Sequence, residues 1–280
     1  EVNMSRNQNR TMARNPSPES AQVPQPQINA QQEPQNQLNF VVPIEAVELP
    51  TKGEFYPEGH PLHNAEIIEI KHMTAKEEDI LTSASLLKKG VAIDKMLQSI
   101  IVNKRIKVDD LLLGDKNALI VMSRVYGYGS DYVTEAQCPV CNAKSQYTFN
   151  LEELKIKEVE LPNSVEKTER NTFVITLPKS GAAIEYRLLT SRDEKEISKS
   201  AGGSLDLLKR ITVTVNGQND NFYISQALQS LPILDTSLLK RAYLKTMPDI
   251  DMNQEMECPA CGEVSEMGVP LDANFFWPNL

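Results

Sequence analysis

The chain has 280 residues, 40% of them hydrophobic and 24% charged, and 29 basic against 38 acidic side chains leave a net charge of −9. With a pI near 5.0 and a mean hydropathy of −0.36, it is poorly suited to neutralising nucleic-acid phosphates in bulk. No apolar run approaches the ~18 residues of a membrane span. The N-terminal stretch also lacks the apolar core of a signal peptide, so a soluble, intracellularly made protein is expected.

Residues 1–40 differ in composition from the rest. From Gln22 to Gln37 the chain is dominated by Gln, Asn, Pro and Ser and has almost no large apolar side chains. Such a segment cannot offset its ordering entropy by burial, so it is expected to be a disordered arm unless a partner holds it. A globular pattern begins near residue 41. Turns at Leu49-Pro50-Thr51-Lys52-Gly53 and Tyr56-Pro57-Glu58-Gly59 precede a strand over Glu66 to Ile70. Thr74-Ala75-Lys76-Glu77 reads as a capping box opening a helix whose core face is Ile80, Leu81, Leu86 and Leu87. Ile93, Met96, Leu97, Ile100 and Ile101 mark a second amphipathic helix. Asp115 reads as the N-cap of a third, running to about Val125 and stopped by Tyr126-Gly127-Tyr128-Gly129.

The later half repeats this order. Ile184 to Arg187 reads as a strand, and Ser191-Arg192-Asp193-Glu194 as a capping box. Leu205, Leu207, Leu208 and Ile211 continue as a helix after Gly202-Gly203, and Asp235 reads as the cap of Leu238 to Leu244. Ser191 follows Thr74 by 117 positions, while Asp235 follows Asp115, and Cys258 follows Cys138, by 120. A period this long implies two related subdomains rather than a solenoid.

The four cysteines form two C-x-x-C knuckles, Cys138-Pro139-Val140-Cys141-Asn142 and Cys258-Pro259-Ala260-Cys261-Gly262. The Asn or Gly after the second Cys tolerates a left-handed backbone and lets amides approach the sulfurs. Together the knuckles supply four thiolates, the donor set of a closed tetrahedral structural zinc site. A thioredoxin-like reading needs the C-x-x-C at the start of a helix. Here Tyr132-Val133-Thr134 and Gln146-Tyr147-Thr148-Phe149 flank it as hairpin strands instead. Local disulfides would restrain little chain and are disfavoured in a reducing compartment; an iron–sulfur cluster is the remaining use of four cysteines.

Other candidate chemistry has plainer readings. His60-Pro61-Leu62-His63 reads as a surface turn. Lys76-Glu77-Glu78-Asp79 places acids in a first helical turn, where they match the macrodipole. The glycines of Tyr126 to Gly129 belong to neither phosphate-loop pattern. Phe275-Phe276-Trp277-Pro278 is an apolar tail that serves either core closure or docking. No catalytic constellation emerges, and no small-molecule substrate is implied.

Leu49-Pro50-Thr51-Lys52-Gly53-Glu54-Phe55-Tyr56-Pro57 and Met73-Thr74-Ala75-Lys76-Glu77-Glu78-Asp79-Ile80-Leu81-Thr82-Ser83 resemble segments of the baseplate hub subunit family of T-even-type contractile-tailed phages. So do Leu112-Leu113-Gly114-Asp115-Lys116-Asn117-Ala118 and Tyr126-Gly127-Tyr128-Gly129-Ser130-Asp131-Tyr132, which leads into the first knuckle. The similarity spans about residues 45–275. It implies a non-enzymatic structural component of the tail baseplate, bound to other baseplate and tail proteins and assembled in host cytoplasm. A zinc-ribbon adaptor for nucleic acid or polymerase and a transient assembly chaperone are the alternatives. The expected fold is α+β: an extended arm (1–40) and two related subdomains (41–150 and 151–280), each a β-hairpin, helices and a knuckle. A split zinc ribbon of Cys138, Cys141, Cys258 and Cys261 joins them.

Overall fold

The computed structural model describes residues 41–157, 159–200, 203–270 and 275–276. The Gln/Pro-rich segment 1–40, with Trp277 and Pro278, lies outside the described residues. Val42–Leu280 forms one compact unit, mixed α+β, with eight α-helices and small antiparallel sheets among the described residues.

The first half opens with β1 (Ile44–Glu48) paired antiparallel to β2 (Ile67–Lys71). Val47, Ile68 and Ile70 point into the core while Glu48, Glu69 and Lys71 face out, the two-residue alternation of a half-buried sheet. α1 (Ala75–Thr82) follows a capping box in which Glu77 accepts from the Thr74 N–H at 3.0 Å and the Thr74 hydroxyl at 2.6 Å. Ser83 then turns extended and breaks the run, so Leu86 and Leu87 fall on a separate short α2 (Ala84–Lys88), where Leu87 is exposed. In α3 (Ala92–Ile100), Met96, Leu97 and Ile100 are buried. Just beyond it, Ile101 bridges Ile70 and adds an edge to β2. α4 (Leu113–Tyr128) leads to the hairpin of β3 (Asp131–Gln137) and β4 (Lys144–Asn150).

The second half has a similar succession. A four-stranded antiparallel sheet runs in chain order through β6 (Val165–Lys167), β7 (Phe173–Thr176), β8 (Ala183–Tyr186) and β9 (Thr212–Val215). Between β8 and β9 lie α5 (Ser191–Lys199) and α6 (Ser204–Ile211). α7 (Asn221–Ser230) and α8 (Ile233–Thr246) follow, and then the hairpin of β11 (Asn253–Glu257) and β12 (Val264–Gly268). A short ladder of β5 (Lys155–Ile156) on β10 (Ile250–Asp251) brings the segment just after the first knuckle hairpin beside the segment just before the second. One continuous apolar core runs through both, from Val47 and Leu49 to Tyr243 and Met267.

Two expected caps sit elsewhere. Asp115 and Asp235 are not N-caps, because α4 and α8 begin two residues earlier, after Leu112 and Pro232. Each aspartate is instead the third helical residue, fully buried, and it anchors a distant turn. Asp115 accepts from the Thr51 N–H (3.0 Å), the Thr51 hydroxyl (2.7 Å) and the Tyr56 hydroxyl (2.8 Å). Asp235 accepts from the N–H groups of Lys179 (3.1 Å) and Ser180 (2.7 Å). Both anchored turns have the form Leu-Pro-x-x-Gly, ending at Gly53 (φ 73°) and Gly181 (φ 68°). The cap of α5 is likewise Thr190 rather than Ser191; its box partner Asp193 also takes a two-pronged bond from Arg187.

The described part of the apolar tail, Phe275 and Phe276, closes the core. Phe275 and Phe276 are buried, and Phe275 packs edge-on against Tyr132 with ring centroids 5.2 Å apart. Its carbonyl accepts from Nε of the fully buried Arg124 at 2.8 Å, whose other nitrogens donate to the carbonyls of Gly129 (2.7 Å) and Asp131 (3.2 Å). Arg124 lies one turn before the end of α4, close enough for its guanidinium to reach the carbonyls just beyond the helix. The faces of Tyr128 and Tyr132 lie 5.3 and 6.0 Å away.

Burial pushes the Asp115 carboxyl up against the hydrogen bonds from Thr51 and Tyr56, which pull it down, so its charge is a burden and its oxygens are what the turn needs. Asp115→Ala strands several buried donors and should lower unfolding stability by about 3 kcal/mol, while the near-isosteric Asp115→Asn should lose about 1 kcal/mol. Denaturant unfolding of the two variants beside wild type checks that order.

Candidate metal centre

Each knuckle is the turn of a two-stranded hairpin. In the first, Tyr132, Thr134, Tyr147 and Phe149 occupy the buried face, and the register closes at Gln137 opposite Lys144. In the second it closes at Glu257 opposite Val264, each position shifted by 120. The turns share their backbone bonds. The Cys138 N–H donates to the Ala143 carbonyl (2.9 Å) and the Asn142 N–H to the Cys138 carbonyl (3.0 Å). The Cys258 N–H donates to Glu263 (2.9 Å) and the Gly262 N–H to Cys258 (2.8 Å). Asn142 and Gly262 take the left-handed conformation that closes each turn, with φ of 61° and 71°. Among side chains only Gly and a few polar residues such as Asn adopt it at low cost, which accounts for their presence here.

The hairpins meet at their cysteines. Cys138 Sγ lies 4.0 Å from Cys261 Sγ, and Cys141 Sγ lies 3.7 Å from Cys258 Sγ. All four sulfurs fall within 4.8 Å of one another. All four cysteines are free; Cys138 and Cys258 are buried, while Cys141 and Cys261 are exposed. Sulfurs around a zinc ion at ~2.3 Å stand about 3.8 Å apart along a tetrahedron's edge, so the observed separations suit such an ion. A disulfide would need ~2.05 Å.

The cluster's electrostatics point the same way. Cys258 is pulled down to about 6 by the Cys261 N–H, the Tyr147 hydroxyl and the Ala260 N–H, against the effect of burial. Cys261 is pushed up to about 12: the Glu263 N–H favours its thiolate, but the Cys141 sulfur, burial and the Cys258 and Cys138 sulfurs outweigh it. Packed this tightly, the sulfurs admit one negative charge readily and resist a second unless a cation accompanies it.

The other sequence candidates have local jobs. His60 Nδ1 accepts from the Leu62 N–H at 3.2 Å and its ring stacks on Tyr56, while His63 Nδ1 lies 2.7 Å from the Tyr56 carbonyl. Both serve the turn after Tyr56. Glu77 is the box residue of α1 and also accepts from the Ser99 hydroxyl at 2.6 Å. A surface depression of about 620 Å³ between α3, α4 and α5 has its central charges paired among themselves. Lys116 meets Asp94 at 3.0 Å and Glu194 at 2.7 Å, and Lys195 meets Asp94 at 2.7 Å. The sequence reading missed Tyr147 as a neighbour of Cys258. Its only sequence signal is an inward position in β4, two residues before the apolar Phe149.

The fold and the site define a small-sheet α+β protein whose two cysteine hairpins are brought together at one point. The sequence matches the family described as T4 bacteriophage base plate protein over residues 43–277, and the chain belongs to that family. It therefore has a structural role in the phage baseplate, in the tail of the virion and in company with other tail and baseplate proteins. Neither a curated protein nor a solved structure matches it. Among the described residues no helix is long and apolar enough to cross a membrane.

The turn geometry makes a specific demand at Gly262. A β-branched residue there must hold φ near 71°, so Gly262→Val should destabilise the protein by about 1–3 kcal/mol, whereas Gly262→Asn, the residue of the first turn, should cost less than 1 kcal/mol. Thermal unfolding of both variants checks it.

Proposed function

We propose that the protein is a non-enzymatic component of the baseplate hub region that holds neighbouring tail proteins together during assembly. One structural zinc ion, held by Cys138, Cys141, Cys258 and Cys261, clasps its two related subdomains, 41–150 and 151–280. The family match over residues 43–277 carries the baseplate reading. The hub position rests on the resemblance of the segments between Leu49 and Cys141 to hub subunits. The zinc reading is supported by the chemistry and spacing of the four sulfurs. The recurrence of hairpin, anchored turn, capped helix and knuckle at similar offsets supports the duplication.

A rigid core with its charged groups engaged in anchors and ion pairs suits a part that is held in place rather than one that turns over substrate. The Gln/Pro-rich composition of residues 1–40 suits a segment that binds along a neighbour. A net charge of −9 speaks for protein partners over nucleic acid. When bound, zinc supplies no reaction here. It neutralises the thiolates and fixes their geometry, and the chain's own amides and turns aim the sulfurs.

Mass spectrometry of purified, mature tails tests the role. The account expects the protein at a fixed ratio to other baseplate proteins, with one zinc per chain by elemental analysis of protein prepared without chelators. Absence from mature tails, despite failed baseplates when the gene is disrupted, would instead identify an assembly chaperone. Normal baseplates after disruption would remove the structural role altogether.

A further inference from the structure

Tyr147 has no partner inside its own hairpin. Its side chain is 4% exposed, and its ring packs near Phe149, with centroids 6.3 Å apart. Its hydroxyl is buried and, although the Cys258 sulfur is its neighbour, meets no acceptor with good hydrogen-bond geometry. Buried phenol hydroxyls are rarely left this way, because a donor removed from water needs an acceptor. The group beside it is the sulfur of Cys258, which belongs to the opposite knuckle. Tyr147 therefore reaches out of the first hairpin toward a thiol of the second.

A neutral thiol is a weak acceptor, whereas a metal-bound thiolate is a good one. The second hairpin does not return the contact. Its residue at the matching register position, 120 further on, is Met267, which is buried and has no hydrogen to donate. Cys138 and Cys258 share a backbone neighbour, the N–H two residues on: that of Val140 lies 3.4 Å from the Cys138 sulfur, and that of Ala260 serves Cys258. To this shared backbone contact Cys258 adds the Tyr147 phenol.

We propose that the Tyr147 hydroxyl donates a hydrogen bond to the Cys258 sulfur when that sulfur carries the metal, making Tyr147 a positioning residue of the four-cysteine centre. The inference rests on the zinc reading above. The bond fixes the direction of one Cys258 lone pair, withdraws electron density from it, and links the two hairpins by a contact besides the ion. A partner of this kind commonly changes metal affinity by about 10–100-fold.

The test uses the full chain with zinc, and with cobalt(II) in its place to make the sulfur–metal bond visible. Tyr147→Phe removes one oxygen and keeps the ring. It should retain one metal per chain, weaken zinc binding about ten-fold in chelator competition, and move the thiolate-to-cobalt charge-transfer band to longer wavelength. Met267→Leu should leave both readings at wild-type values. Site-specific 3-fluorotyrosine at position 147, a stronger donor of the same shape, should shift the band the opposite way, and it answers the question even if Tyr147→Phe does not fold. An unchanged band in both Tyr147 variants, or an equal change in Met267→Leu, overturns the proposal and leaves the zinc reading standing. Absence of metal from wild-type protein overturns both.

Discussion

The approach of Cys141 to Cys258 across 117 positions of sequence constrains most of the molecule. Two hairpin turns must arrive at one point with all four sulfurs within 4.8 Å, so everything between them has to leave that point and return to it. The entropy of closing such a loop is about 4 kcal/mol plus a constant, and four sulfurs crowded together add nothing to offset it while they stay uncharged. The fold meets the demand by other means as well. The β5–β10 ladder sets the chain leaving the first knuckle hairpin beside the chain entering the second, and the shared core and the burial of Phe275 beside Arg124 join the two halves. On the zinc reading the ion then adds an interaction that in small peptides contributes roughly 10–16 kcal/mol.

The anchoring aspartates solve a related problem. A Leu-Pro-x-x-Gly turn leaves N–H groups pointing inward, and a buried donor without an acceptor is costly. Asp115 and Asp235 meet those donors from the first turns of α4 and α8, the positions where a negative charge also suits the helix dipole. Each long helix is thereby fixed to the hairpin at the start of its own half before it runs toward its knuckle. Arg124 works at the opposite end of α4. It bonds three carbonyls and lies against two tyrosine rings, so its charge is dispersed without a carboxylate among the described residues.

What the sequence made legible was local and patterned. The first knuckle hairpin could be read because Tyr132 to Thr134 and Gln146 to Phe149 flank a fixed cysteine spacing, and α3 because Met96, Leu97 and Ile100 recur on one face. What stayed hidden depended on partners far away. Asp115 looks like a cap because it precedes a helical run, yet its acceptor oxygens serve Thr51 and Tyr56, more than fifty residues upstream. Thr190 and Ser191 are both competent caps, and only the position of Asp193 three residues on, with Arg187 engaging it, decides between them. The break at Ser83 carries no Gly or Pro signal. Of the four-stranded sheet only β8 was read, although β7 and β9 have the same four residues in length. Tyr147 beside Cys258 could not be read at all, since it depends on how two hairpins face each other.

The central claim is that one ion joins the two knuckles within a single chain. Zinc K-edge X-ray absorption on the full chain, with its oligomeric state measured on the same sample, tests it most directly. Four sulfur scatterers at about 2.3 Å, with one metal per monomer, is the result this account predicts. A shell containing nitrogen or oxygen, or two sulfurs per metal with zinc shared between chains, would contradict it.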